Sequence, residues 1–281
     1  MAIYQALAEL EKRDEPGALC TIVRSQGSTP RHVGSKMLVY ADGRTTGSIG
    51  GGEMESRVLA EALEAVRDGK PRTLTYTMAN PERGDPGVCG GQVEVFIEPL
   101  HPKPVLLLVG GGHVGKAVAH LAFWLGFRVV VSDDRPEYCT PEAVPEAEAF
   151  YPVSMKDLPD QFEIRPWTYI VLTTRGVDID VPGLPALLQT AAAYIGVIGS
   201  RRRWATTCEQ LLAAGVPAEQ LDRVRSPIGL ELNAETPEEI AVSILAEIIM
   251  MRRGGHGQAM KSQVVEEKEP VPRNELKSER K

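Results

Sequence analysis

The sequence predicts an α/β protein in which a parallel-sheet domain of the doubly wound kind follows a smaller α+β domain with antiparallel hairpins. Three observations carry that reading. The first half spaces its strands with turn residues, as hairpins do. The second half alternates short, wholly apolar strands with helices. A proline-dense stretch separates the two styles, and 281 residues suit two domains with separate cores. The expected boundaries are 1–99 for the first domain, 104–254 for the second and 255–281 for a disordered tail.

Ile3, Leu7 and Leu10 recur at helical spacing, so a first helix ends near Arg13. Residues 18–23 read as a buried strand, and Gly27-Ser28-Thr29-Pro30-Arg31 as a turn. Residues 36–40 and 45–49 flank Ala41-Asp42-Gly43-Arg44, a hairpin signal. Gly50-Gly51-Gly52 breaks the second strand. Residues 54–68 then have a helical pattern, with Gly69 placed to cap its end. Strands follow at 72–78 and 92–98, joined by a long loop rich in glycine and proline, a kind that often carries function. Pro99-Leu100-His101-Pro102-Lys103-Pro104 makes a stiff connector.

Beyond it, strands are expected at 105–109, 128–132, 169–173 and 194–198, and helices at 114–125, 184–192 and 204–214. Short all-apolar strands between helices are what a parallel sheet covered on both faces requires. Thr236-Pro237-Glu238-Glu239 is a capping box that opens a last helix running to about Arg252.

Composition narrows the function. Hydrophobic residues at 43% and charged residues at 25% are the proportions of a globular chain. A net charge of −7 argues against a nucleic-acid-binding face, so any anionic ligand must be held by local groups. No apolar run approaches the roughly 20 residues that span a bilayer, and the N-terminal stretch lacks a signal peptide's apolar core. Cys20, Cys89, Cys139 and Cys208 form no CxxC pair, which argues for reduced thiols in a cytoplasmic protein with no structural metal.

The strand at 105–109 runs into Gly110-Gly111-Gly112-His113-Val114-Gly115, a GxGxxG between strand and helix. Gly110 permits the tight turn, Gly112 lets a pyrophosphate approach, and Gly115 lets the helix pack on the sheet. The helix N-terminus favours phosphate. Asp133 closes the next strand, where a ribose-binding acid belongs. This is the fingerprint of a Rossmann-type, NAD(P)-binding-like domain. The alternative is a doubly wound domain that kept the loop without the ligand. Asp133 favours NAD, whereas Arg135 suits the 2′-phosphate of NADP.

Three glycine turns lie in the first domain: 27–31, 47–52 and 87–91. Consecutive glycines leave backbone N–H groups bare to cradle a ligand, and Arg31 and Lys36 add positive charge. GSTPR, then Gly34-Ser35-Lys36-Met37-Leu38-Val39, then SIGGG, then CGG before Gln92, resemble the N-terminal domain of the XdhC/CoxI family. That family comprises accessory proteins of xanthine dehydrogenase and carbon monoxide dehydrogenase. GGGHVG, Ser132-Asp133-Asp134-Arg135-Pro136, Ile198-Gly199-Ser200-Arg201-Arg202, Pro227-Ile228-Gly229-Leu230 and the segment 234–244 extend the resemblance over residues 15–254.

The resemblance implies a cytoplasmic maturation factor. It would bind the molybdenum cofactor (molybdopterin), assist its sulfuration, and insert it into an apo molybdenum hydroxylase. Such a factor is a cofactor-binding chaperone more than a turnover enzyme. A homodimer is the family's form, and a cysteine desulfurase is a further partner it allows. Carried onto this chain, molybdenum-cofactor binding falls to Ser28, Arg31, Lys36, Gly50, Gly51, Gly52, Glu53, Cys89 and Gly90, and thiol chemistry to Cys89. Nucleotide binding falls to Gly110, Gly112, His113, Gly115, Asp133, Ser200 and Arg201. Two departures bear on sulfur transfer. Glu53 stands where the family usually has cysteine, and a carboxylate is no soft sulfur ligand. Thr174-Arg175-Gly176-Val177 lacks the histidine that relatives carry there.

Other residues divide between two readings. Cys89 is a thiol activated by nearby N–H groups or a small filler of a turn, and Cys20 belongs to the core. His113 touches a ligand or merely starts a helix. Arg201 and Arg202 sit where a strand end borders the ligand crevice, while Arg203 reads as a solvated charge. Glu231, Glu235 and Glu53 suit helix N-termini. The rival function is an NAD(P)-dependent oxidoreductase acting on a small substrate between the domains. A nucleotide-sensing module is a third possibility.

Overall fold

Residues 3–77 and 91–260 are described by the computed structural model. The chain divides into two compact units, Met1–Lys103 and Pro104–Lys281. Cys89, Gly90 and the expected tail from residue 261 onward lie outside the described residues.

The first unit follows from alternation. Its elements are α1 (Ile3–Lys12), β1 (Gly17–Gln26), β2 (Lys36–Tyr40), β3 (Thr45–Gly47), α2 (Gly52–Asp68), β4 (Arg72–Thr77) and β5 (Gln92–Leu100). The five strands form an antiparallel sheet in the order β3-β2-β1-β5-β4. Every second residue points to one face. Cys20, Ile22, Met37, Val39, Val95 and Ile97 pack there against Val58 and Ala62 of α2. Leu38 points the other way and meets Ala6 and Leu10 of α1. Gly69 ends α2 in the left-handed conformation, as its position predicts.

Two strand ends differ from expectation. β1 continues to Gln26 because β5 pairs with it that far, across an irregularity between Ile22 and Arg24. β5 continues through Pro99 to Leu100. Pro99 lies beyond the last β4 pair at Ile97, where the strand has a neighbour on one side only, and such a position tolerates a missing donor.

The second unit contains β6 (Val105–Val109), α3 (His113–Trp124), β7 (Arg128–Ser132), β8 (Ala149–Tyr151), α4 (Leu158–Gln161), β9 (Thr168–Leu172), α5 (Val177–Leu188), β10 (Tyr194–Val197), α6 (Arg201–Ala213), α7 (Ala218–Leu221), β11 (Val224–Arg225) and α8 (Pro237–Arg253). All six strands are parallel, in the order β11-β10-β9-β6-β7-β8. That is the doubly wound order of a Rossmann-type sheet, reversing direction between β6 and β9. β6 is apolar throughout because both its faces are covered. Leu106 and Leu108 join Val118, Ile244 and Leu245, while Leu107 and Val109 join Leu172, Leu184 and Leu211. The capping box of α8 is present: Thr236 Oγ1 accepts from Glu239 N at 3.2 Å, and Glu239 Oε2 accepts from Thr236 N at 3.2 Å.

Corrections here concern short or proline-bearing elements. β8 and β11 were not expected, being too short to show a period. The helix expected over 184–192 instead begins at Val177 and ends at Leu188, with Pro182 and Pro185 inside it. Proline signals a break in an isolated helix, but here buried tertiary contacts of the first turns hold the segment helical. Among the described residues no helix is long and apolar enough to cross a membrane, and no group of three or more potential metal ligands is found.

Truncating Leu107, which is fully buried in the centre of the sheet, should cost about 2–5 kcal/mol in Leu107→Ala, read as a lowered urea midpoint with unchanged slope. A loss below half a kcal/mol would contradict the two-faced core.

Candidate functional site

The reversal of strand order opens a crevice at the carboxyl ends of the parallel strands. A cleft of about 280 Å³ lies there within the second unit. Residues following each strand line it: Gly110 after β6; Asp133, Asp134 and Arg135 after β7; Met155 and Lys156 after β8; Thr173, Thr174 and Arg175 after β9. Ile179 and Pro182 of α5 form a wall.

The glycine turn is shaped by close contacts. Gly110 has φ +113°, and a Cβ there would meet the Thr173 carbonyl oxygen at 2.8 Å. A Cβ on Gly115 would stand 2.0 Å from the Gly110 carbonyl oxygen, so α3 can rest on β6 only if residue 115 has no side chain. Gly112 is different. It is the N-cap of α3, and a Cβ on it would meet nothing within 4 Å, which leaves room for a ligand.

Asp133 is buried and holds the turn. Its carboxylate accepts four hydrogen bonds: from Gly111 N at 2.9 Å, Arg135 N at 3.0 Å, Arg135 Nε at 2.9 Å and Arg135 Nη2 at 2.9 Å. Burial works to raise its pKa, but the bonds from Arg135 and Gly111 outweigh it and hold the carboxyl below its ordinary value. Beside it, Arg175 Nη2 donates to Asp134 at 2.7 Å.

A second buried carboxylate braces the floor. Asp180 is 0% exposed and pairs with Arg203, whose side chain is 18% exposed. Arg203 Nη2 donates to Asp180 Oδ2 at 2.6 Å and to Thr174 Oγ1 at 2.7 Å, and Arg203 Nη1 donates to the Thr174 carbonyl at 3.1 Å. This corrects the sequence reading of Arg203 as solvated. An Arg-Arg-Arg run gives no sign of which member turns inward, and the acid that decides it lies 23 residues away. The bond network joins α5, α6 and the loop after β9.

The sequence-predicted nucleotide residues are thus divided. Gly110 and Asp133 line the cleft, whereas Gly112, His113, Gly115, Ser200 and Arg201 are not among its lining residues. His113 is exposed. Ser200 is the N-cap of α6, its Oγ accepting from Arg203 N at 3.2 Å. Arg135, read from the sequence as suited to a 2′-phosphate, does line it. Lys156 and Arg175 were not predicted to: Arg175 follows an expected strand end, a usable signal, whereas Lys156 follows the unexpected β8. Glu247 was also missed. It accepts from Tyr194 Oη at 2.5 Å and from Gly229 N at 2.9 Å, tying the segment after β11 to α8. Burial, and then the Glu247 bond, push the Tyr194 hydroxyl pKa up.

In the first unit the glycine turns meet. A Cβ on Gly50 would lie 2.8 Å from Pro30 Cγ, and one on Gly91 would lie 2.2 Å from the Ser28 carbonyl oxygen. The expectation of bare amides at the triple glycine needs correction. Glu55 Oε1 accepts from Ser48 Oγ at 2.7 Å, Ile49 N at 3.0 Å and Gly50 N at 3.2 Å. Burial would raise the Glu55 pKa, yet these donors, with Gly51 N, hold it below the usual carboxylate range. Gly51 and Gly52 remain open, with nothing within 4 Å of a built Cβ. Ser28 and Arg31 are exposed, and Arg31 has no side-chain partner among the described residues. Lys36 Nζ donates to Thr21 Oγ1 at 3.2 Å. Glu53, in the first turn of α2, pairs with Arg57. Among the described cysteines, burial pushes Cys20 up to about 12 and raises Cys139 and Cys208, so none is an activated thiol.

Residues 106–248 match the family model described as the XdhC Rossmann domain, and residues 10–77 match the one described as the XdhC and CoxI family. The chain is 37% identical to "Uncharacterized protein YqeB" of Escherichia coli (strain K12), over 92% of this chain and 48% of the relative. It is 36% identical to a probable subunit of xanthine dehydrogenase from Bacillus subtilis (strain 168), over 57% of this chain and 46% of the relative. It is 25% identical to "Molybdenum cofactor insertion chaperone PaoD" of Escherichia coli (strain K12), over 83% of each. The chain thus spans about half the length of the first two.

Removing the buried acid in Asp180→Ala leaves Arg203 uncompensated and should cost about 3–5 kcal/mol in chemical denaturation. An unchanged midpoint would mean that the pair does not form. The lowered Asp133 and Glu55 carboxyls give stability that is complete above the ordinary carboxylate range and lost as pH falls through their depressed values, below about pH 4. Asp133→Asn should therefore flatten the acid limb of a stability-against-pH curve, and a parallel curve would exclude this role.

Proposed function

The chain belongs to the XdhC and CoxI family, and from that premise we propose that it is a maturation factor for xanthine dehydrogenase-type molybdenum hydroxylases. It binds the molybdenum cofactor in the first unit, assists its sulfuration with sulfur from a cysteine desulfurase, and hands it to the apo-hydroxylase. The observation that carries this reading is the meeting of the glycine turns at Ser28, Pro30, Gly50 and Gly91. A relative named as a molybdenum cofactor insertion chaperone, aligned over 83% of both chains, supports it.

The residues present fit a pterin dithiolene that bears a phosphate. Arg31 offers an exposed positive charge with no side-chain partner among the described residues, Ser28 a hydroxyl, and Gly51 and Gly52 steric room beside the backbone. When bound, the cofactor supplies a molybdenum centre able to carry the terminal sulfur. The protein's part is to hold and orient it. Lys36 is half-buried beside Thr21 and adds local charge. Glu53, paired with Arg57, is a positional acid of α2 and leaves sulfur handling to Cys89. The cleft of the second unit serves a nucleotide.

Purifying the full chain from cells that make the cofactor, and measuring bound molybdenum and pterin fluorescence, tests this directly. Near-stoichiometric pterin is the expected result, falling about tenfold or more in Arg31→Ala as affinity is lost. Cys89→Ser should retain pterin and lose client activation. Absence of pterin, together with oxidation of NADH by a carbonyl substrate, would replace this function by the oxidoreductase one.

A further inference from the structure

Arg135 is held more firmly than an ordinary surface arginine. Its Nε and Nη2 donate to the two oxygens of Asp133, each at 2.9 Å. The Tyr138 ring covers one side of the guanidinium, with Cζ 3.8 Å from the ring centroid. Arg135 lines the cleft and Tyr138 does not, so the arginine rather than the ring meets the open space. Nη1 has no partner among the described residues. The result is a planar cation, fixed before any ligand arrives, with the Nη1 amino group to spare.

We propose that the cleft of the second unit binds a nucleoside diphosphate whose base stacks on the Arg135 guanidinium. A guanidinium plane stacks well on heteroaromatic rings, and a rigid one loses little freedom on binding. Asp133 takes a part different from the ribose-binding one that its position suggests. A carboxylate has about four acceptor sites, and all four are taken by Gly111 and Arg135. It is a positioning residue for the arginine. The ribose and diphosphate then depend on Nη1 and on exposed Lys156 at the cleft wall. The proposal rests on the cleft being the nucleotide site, and it is independent of what the first unit holds.

The test is calorimetric titration of the full chain with ADP, GDP and CDP in separate arms, with NADH as a fourth. The arms distinguish a free adenine nucleotide or dinucleotide from a nucleotide form of the pterin cofactor. Binding of at least one diphosphate at about 0.1 mM or tighter is expected, with a hypochromic change in the base absorbance. Arg135→Lys keeps the charge and loses the plane, so affinity should fall tenfold or more and the hypochromism should vanish. Tyr138→Leu should weaken binding in the same direction, and it serves as the readout if the lysine variant fails to fold. Glu209→Ala, exposed on α6 and outside the cleft, should bind as wild type. No binding of any diphosphate at about 1 mM overturns the proposal, as do Arg135→Lys or Tyr138→Leu binding unchanged. Pterin content of the same preparations reports separately on the first unit, so the two failures cannot be confused.

Discussion

What the second unit can offer a ligand depends on one close approach. The Gly110 carbonyl oxygen lies 2.0 Å from where a Cβ on Gly115 would stand. That contact presses the start of α3 against the end of β6, and it fixes the glycine turn at the point where the strand order reverses. A larger residue at 115 would push the helix away and move the turn. The loops after β7, β8 and β9 then surround a cleft whose position the sheet has already set.

Both units use the same electrostatic device. A glycine-bearing turn exposes amide donors, and an internal carboxylate takes part of them: Glu55 at the triple glycine, Asp133 at the turn after β6. In each case hydrogen bonds outweigh the cost of burial and keep the carboxyl ionised. The turns are therefore partly filled by the protein itself. What remains for a ligand is the open space beside them, at Gly52 and Gly112, and exposed cations such as Arg31 and Lys156.

The buried Asp180–Arg203 pair has a related purpose. It links α5 and α6 to the loop after β9, and through Thr174 it sets one edge of the cleft. An ion pair with its carboxylate buried is weak evidence for net stability, but loss of either partner is costly. Geometry is what it secures.

The sequence by itself determined the two-unit order, the hairpins at 36–47, the parallel sheet and the glycine turn after β6, because these rest on local periodicity and on glycine's freedom from a side chain. The capping box at Thr236 and the cap at Gly69 were equally legible, being short-range signals. Only tertiary structure decided which charges turn inward. Arg203 and Arg202 are neighbours in the same run, yet one is turned inward against Asp180 and the other is exposed. Glu55 and Asp133 look like surface or ligand-binding acids until their donors are placed around them. The two-residue strand β11 exists only because β10 is there to pair with it. Periodicity records what each residue does for its own element. Side-chain partnerships leave no such record, because they follow no period: Arg203 finds its acid 23 residues away, and Asp133 finds Arg135 two residues on.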